Sequence, residues 1–342
     1  MRAHAFFVMV TSIVFAAGCA ITEPKPSPAT DAAMQQALGE LLQADATRAL
    51  AIFDHVDPAT LSTKRKAIID CVRKRFDGSE ISNDLPGTSS AALLAYQRYW
   101  RAVMTHSVPP AEGEAKLLAS LNAIAAMSGA PDPASIDSVS DYVVTAIEKD
   151  GLHALTGKTE PLYELMIWKA EEAMVYDVQL PENAVKVKVV FLADFASPGW
   201  SGYATCGIAQ TGGWAKPDAL YAVKSSYDLD SESFRVSYLS HEGQHFSDYQ
   251  RYPLLEQPEL EYRAKLTEIA LAKTTTAELL QAFAAQGGDS RDVPHAFANR
   301  KVTLALKGVP PDRIHEAAAA KLKESSATLE RLGATTTKRF LD

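Results

Sequence analysis

The chain has 342 residues, 47% of them hydrophobic and 22% charged, with three cysteines. Lys+Arg 34 against Asp+Glu 42 gives a net charge of −8, which leaves a nucleic-acid-binding role without an electrostatic footing. The composition excludes disorder and collagen-like repeats, the cysteines are too few for a disulfide-built scaffold, and the length suggests two domains.

The first predicted element is an address. Arg2 supplies a short basic start, and residues 5–17 are apolar apart from Thr11 and Ser12. That run is too short to cross a bilayer, which takes about 20 helical residues, and it has the length of a signal-peptide core. It ends in Ala16-Ala17-Gly18-Cys19, which resembles the lipobox of bacterial lipoproteins. The resemblance implies that residues 1–18 are a lipoprotein signal peptide and that Cys19 is the lipidation site. The mature chain is then exported and held to a membrane by lipid. Ala20, rather than Asp, after Cys19 implies by resemblance to Gram-negative sorting the outer membrane, if the host is Gram-negative. Residues 19–31 carry three prolines and no core pattern, as a tether does. Cys71 and Cys206 remain, either paired in an oxidising compartment or as two buried thiols.

Residues 32–178 read as a helical domain. Helices are predicted near 31–55, 58–76, 89–107, 110–128, 133–149 and 161–176, separated by Pro and Gly breakers. Ser89 and Ser135 stand where N-caps fall. From about 179 the pattern changes. Residues 185–192 alternate and then become wholly apolar, which predicts a strand. Residues 199–215 are rich in Gly, Thr and aromatics and predict a strand or hairpin, with another strand near 219–223. Helical pattern resumes at about Ser231 and continues to the end, broken at Pro253, Gly287-Gly288, Pro294 and Pro310-Pro311. The expected class is α+β, a helical domain followed at 179–342 by a small sheet, a motif helix and C-terminal helices.

Residues 241–245 read His-Glu-Gly-Gln-His, an H-E-x-x-H pattern. His241 and His245 are four apart, so on a helix both imidazoles leave one face and can bind one metal ion. Glu242 is about a quarter-turn away and can take a proton without being a ligand. Asp230 or Ser231 supplies an N-cap, Phe234, Tyr238 and Leu239 are helix-spaced, and Pro253 ends the element. Gly243 is costly inside a helix unless something packs closely against it.

This motif in its helix resembles the zincin metallopeptidases. The metzincin branch is excluded, because Asp248 and Arg251 stand where that pattern needs Gly and His. The chain is more similar to the gluzincin, thermolysin-like branch, which implies a third metal ligand from a Glu on the next helix. Glu256, Glu259, Glu261 and Glu268 are candidates. Glu261 lies in a Glu-Tyr-Arg-Ala setting that resembles the frame around that ligand. The resemblance implies Zn²⁺ held by His241, His245 and Glu261, with a fourth position for water and Glu242 as general base. Glu268, seven residues beyond Glu261, is expected as a partner behind the ligands, and Asp248 is expected to orient a histidine.

Zincins also pair substrate backbone with an edge strand upstream of the motif helix. Thr211, Gly212, Gly213, Trp214 and Ala215 fit that place. Tyr249, Tyr252, Tyr262, Arg263 and His295 are candidate oxyanion donors, with His295 preferred and Arg263 open to a structural ion pair. The function implied is a membrane-anchored zinc metallopeptidase acting on a peptide or protein. The alternatives are a metal-binding lipoprotein without catalysis that binds a protein partner, and a cell-wall amide hydrolase.

Overall fold

The computed structural model describes residues 27–127, 134–216, 219–335 and 339–341. The expected signal peptide, Cys19 and the tether up to residue 26 lie outside the described residues. The end of the tether is corrected: α1 (Pro28–Leu42) already begins at Pro28. Ser27 is its N-cap, with its hydroxyl accepting from Thr30 N–H, and Pro28 occupies a first-turn position where its missing N–H costs nothing. A proline that suggests a linker thus starts a helix.

The described chain is mixed α+β, with twelve α-helices and a five-stranded sheet among the described residues. Five more helices follow α1 before the first strand: α2 (Ala46–Asp54), α3 (Thr63–Phe76), α4 (Gly87–Met104), α5 (Pro110–Ala126) and α6 (Ile136–Lys149). The strands are β1 (His153–Thr159), β2 (Leu162–Gln179), β3 (Ala184–Pro198), β4 (Gly213–Lys216) and β5 (Ala219–Val223), ordered β1-β2-β3-β5-β4. A short helix α7 (Gly199–Ala204) precedes β4. The rest are α8 (His241–Arg251), α9 (Gln257–Leu271), α10 (Thr276–Ala285), α11 (Pro294–Ala305) and α12 (Ile314–Leu332). None of the described helices is long and apolar enough to cross a membrane.

Two readings of the sequence are overturned here. Residues 161–176, expected as helix, form most of β2. Leu, Glu, Met, Lys and Ala favour helix, but β1 pairs antiparallel along this segment from Thr159 opposite Leu162 to His153 opposite Trp168. Leu165 to Trp168 are buried in succession, as in an interior strand, so tertiary pairing overrides propensity. Residues 199–204, expected as strand or hairpin, form α7, where Trp200 N–H donates to the buried Glu164 carboxylate at 2.7 Å.

The chain divides into two compact units, one running to Glu172 and resuming over Leu192–Trp214, the other comprising Ala173–Phe191 and Ala215–Asp342. The division is not one cut near 178, because β2 and β3 give residues to both units. The first unit holds α1–α7 around a core that includes Phe53, Val72, Leu93, Trp100, Leu121, Val143 and Tyr203. Trp100 Nε1–H donates to Tyr163 O at 2.8 Å. Cys71 and Cys206 form a disulfide, with Cα atoms 6.3 Å apart, which settles the choice that spacing left open.

The second unit carries the motif. Phe234, Tyr238 and Leu239 pack with Val178, Val187, Val189, Phe191 and Leu220 of the strands. Residues Phe234–Ser240 are π-helical and run directly into α8. Gly243 sits where a Cβ would meet Val178 Cγ1 at 3.2 Å and Val185 Cγ2 at 3.5 Å. The β2–β3 hairpin therefore explains the glycine in the motif. α9 is buried without interruption from Pro258 to Ile269. Every polar side chain along that run must consequently find a partner inside the protein.

Candidate metal centre

α8 and α9 bring the site together. His241 and His245 leave one face of α8, and their Nε2 atoms are 3.1 Å apart. Glu261 projects from the second turn of α9 between them, with Oε1 3.3 Å from His245 Nε2 and Oε2 3.5 Å from His241 Nε2. His241, His245 and Glu261 are all buried, and their ligand atoms lie within 4.8 Å of one another. This group can hold a metal ion. Two imidazoles and one carboxylate are a donor set of catalytic metal sites that leave a further position open.

The surrounding groups test that fit. His241 Nδ1–H donates to Glu268 Oε1 at 2.7 Å, which fixes the ring so that Nε2 faces Glu261. Burial works against a charge on His241, but Glu268 and Glu261 outweigh it and raise its pKa to about 10. Burial likewise opposes ionisation of Glu261, yet His245, His241 and His295 hold it well below the usual carboxylate range. Two buried carboxylates thus face a space lined by imidazoles, and either protons or a cation must offset their charge. His245 Nδ1 is buried and has no hydrogen-bond partner among the described residues.

Comparisons with family models, curated proteins and solved structures give no match.

The remaining candidates fall in several places. Both Glu242 oxygens are buried without a hydrogen-bond partner among the described residues, beside the triad in sequence but outside it. His295 Nδ1 stands 2.8 Å from Glu261 Oε2, and its side chain is 40% exposed. Asp248 does not serve a histidine as expected. It accepts from Arg263 Nε and Nη2 at 2.8 and 2.9 Å and from Gln244 Nε2 at 3.0 Å. A short carboxylate on α8 reaches the buried guanidinium of α9, which needs an anion more than a histidine does. Glu259 pairs with Arg291, and Glu256 with Arg291 and Arg339, so neither is a ligand.

Gly213 and Trp214 lie in β4, an edge strand of the sheet, with Thr211 buried just before it. Thr211 to Trp214 belong to the first unit and the triad to the second. Tyr249 bonds Gln257, and Tyr262 packs on Phe340. Two tyrosines escaped the sequence reading as polar groups. Tyr227 and Tyr238 pack ring to ring at 4.7 Å, and their buried hydroxyls have no hydrogen-bond partner among the described residues. Burial and the charge of Glu242 both raise the Tyr227 phenol. Tyr238 is four residues before Glu242, a helical spacing that could have drawn notice.

Proposed function

We propose that the chain is a zinc-dependent hydrolase of peptide bonds, exported and lipid-anchored through Cys19. The observation that carries the reading is the buried His241, His245 and Glu261 triad with the unpartnered carboxylate of Glu242 on the same helix. Two imidazoles and a carboxylate suit Zn²⁺ among the divalent ions, and the resemblance of the motif to gluzincins favours peptides. Zinc held there supplies Lewis-acid chemistry, polarising a carbonyl and easing deprotonation of water.

The protein groups supply the rest. His241 and His245 offer Nε2 lone pairs, and Glu268 keeps His241 in the tautomer that does so. Glu242 accepts the proton of the attacking water on a carboxylate oxygen and returns it to the leaving amine. A site built only to staple the fold has no use for a buried carboxylate with neither oxygen engaged, so Glu242 favours catalysis over a purely structural ion. The Cys71–Cys206 disulfide supports an oxidising compartment and hence export.

The test separates metal from chemistry. Purified protein should contain about one zinc per chain and hydrolyse members of a broad peptide library, and a chelator should stop it. Glu242→Gln should keep the zinc and lose 10²-fold or more in rate, the scale of a lost general base. Glu261→Ala should lose zinc and activity together. Wild type without zinc, or Glu242→Gln as fast as wild type, refutes the reading.

A further inference from the structure

The segment before α11 is pinned to the first turn of α9. Arg291 Nη2 donates to both oxygens of the buried Glu259 at 2.8 and 2.7 Å and to Glu256 Oε2 at 3.1 Å. Arg291 Nη1 donates to Leu341 O at 2.8 Å. Gly288 N–H donates to Ala296 O at 2.9 Å, closing the loop across the start of α11. Glu259 and Glu261 are two residues apart on α9. The anchor at Glu259 therefore carries His295, four residues beyond Arg291, to Glu261.

The two oxygens of Glu261 have different neighbours. Oε1 faces His245 Nε2 at 3.3 Å, and Oε2 has His295 Nδ1 at 2.8 Å, closer than His241 Nε2 at 3.5 Å. His295 itself is not one of the three groups whose ligand atoms converge within 4.8 Å. A terminal carboxylate torsion is broad, so an unheld Glu turns between orientations. A ring nitrogen set this close to one oxygen limits that freedom, and partners that support a ligand are worth 10–100-fold in metal affinity.

We infer that His295 is a positioning residue: its Nδ1, in close polar contact with Glu261 Oε2, keeps the carboxylate aimed into the space between His241 and His245 and thereby sets the affinity of the site for a divalent cation. Arg291 holds the loop that delivers it. This role differs from that of an oxyanion donor, which meets the substrate. The inference rests on the zinc reading above.

Its test reads zinc affinity by competition against a chromophoric chelator, on the full mature chain, with no reference to turnover. His295→Leu and His295→Ala should each weaken zinc binding by 10–100-fold. His295→Asn should restore most of it, because the Asn amide nitrogen occupies the place of Nδ1 against Oε2. Melting of the zinc-free forms shows that the variants fold, as a half-exposed position allows. Wild-type zinc affinity in His295→Leu and His295→Ala, with hydrolysis alone lost, overturns the inference and makes His295 a substrate-facing donor. Asn no better than Leu overturns it too, since a polar nitrogen at that place is then not the cause. Failure of the wild type to bind zinc is a separate result, which removes the zinc reading and this inference with it.

Discussion

Arg263 offers the sharpest test of how the motif helix is held. Its side chain is fully buried. Two of its nitrogens grip Asp248 at 2.8 and 2.9 Å, and Nη1 donates to Ser325 and Ser326 of α12 at 2.6 and 3.0 Å. Asp248→Ala leaves the guanidinium in the interior with Glu182 as the remaining anion, at 3.7 Å. Breaking one side of such a pair costs about 3–5 kcal/mol. For a unit of this size each kcal/mol lowers the melting temperature by about 2–4 °C, so a fall of roughly 6–20 °C is expected. Arg263→Met should be similarly harmful, since it strands the Asp248 carboxylate. The double variant Asp248→Ala with Arg263→Met removes both buried charges and should be less harmful than the two singles together. Calorimetric melting of the four proteins measures this. A fall below about 2 °C for Asp248→Ala, or a double variant equal to the summed singles, refutes the argument that the pair is a coupled buried unit.

Two further predictions concern the first unit. Burial raises the pKa of Glu164 to about 8, with the Trp200 N–H bond working the other way. The folded state therefore holds a proton that the unfolded state gives up, so stability falls as pH rises from the ordinary carboxylate range through 8. The loss is on the order of 4–5 kcal/mol, and Glu164→Gln should flatten the profile in urea titrations between pH 5 and 9; parallel profiles would sink this. Reduction of the Cys71–Cys206 disulfide, which closes a separation of 135 residues, should cost roughly 2–5 kcal/mol, read as a lower unfolding midpoint in dithiothreitol and in the Cys71→Ser, Cys206→Ser pair.

The site was more legible than the architecture around it, for physical reasons. His241, Glu242 and His245 announce themselves because four-residue spacing on a helix puts two imidazoles on one face whatever surrounds them. Glu261 stands out from Glu256, Glu259 and Glu268 only through its Glu-Tyr-Arg-Ala setting, which resembles the frame around the third ligand of gluzincins. The strand β2 does not stand out, because residues 161–176 are made of helix formers and only the partner β1 decides the matter. β1 falls in the gap between the helices expected near 133–149 and 161–176, where the sequence carries no strand expectation. Asp248 was given to a histidine because sequence shows which residues share a helix face, not which of two neighbours makes the stronger claim. The buried hydroxyls of Tyr227 and Tyr238 count as apolar spacing in a sequence, and their closeness to Glu242 is a property of packing. The π-helical register ahead of the motif leaves no compositional mark either.

That register has a consequence for how the protein tolerates change in length. In the stretch Phe234–Ser240 the wider winding lets His241 N–H reach Val236 O, five residues back. One residue more is wound in than an α-helix would hold over the same span. Phe234 and Tyr238 face the strands on one side of that extra residue, and His241 and His245 face Glu261 on the other. Deleting any one residue between them would let the helix relax to α-geometry, with better hydrogen bonds and a more regular backbone. Because the wider winding already absorbs the extra residue, that deletion would leave the two faces close to their present relative orientation, whereas rewinding the stretch as α-helix at its present length would turn them by about 100°, the rotation of a single helical residue. At that length the apolar face and the ligand face could not both meet their partners, so the wider winding is what keeps the strands and Glu261 engaged by one continuous helix.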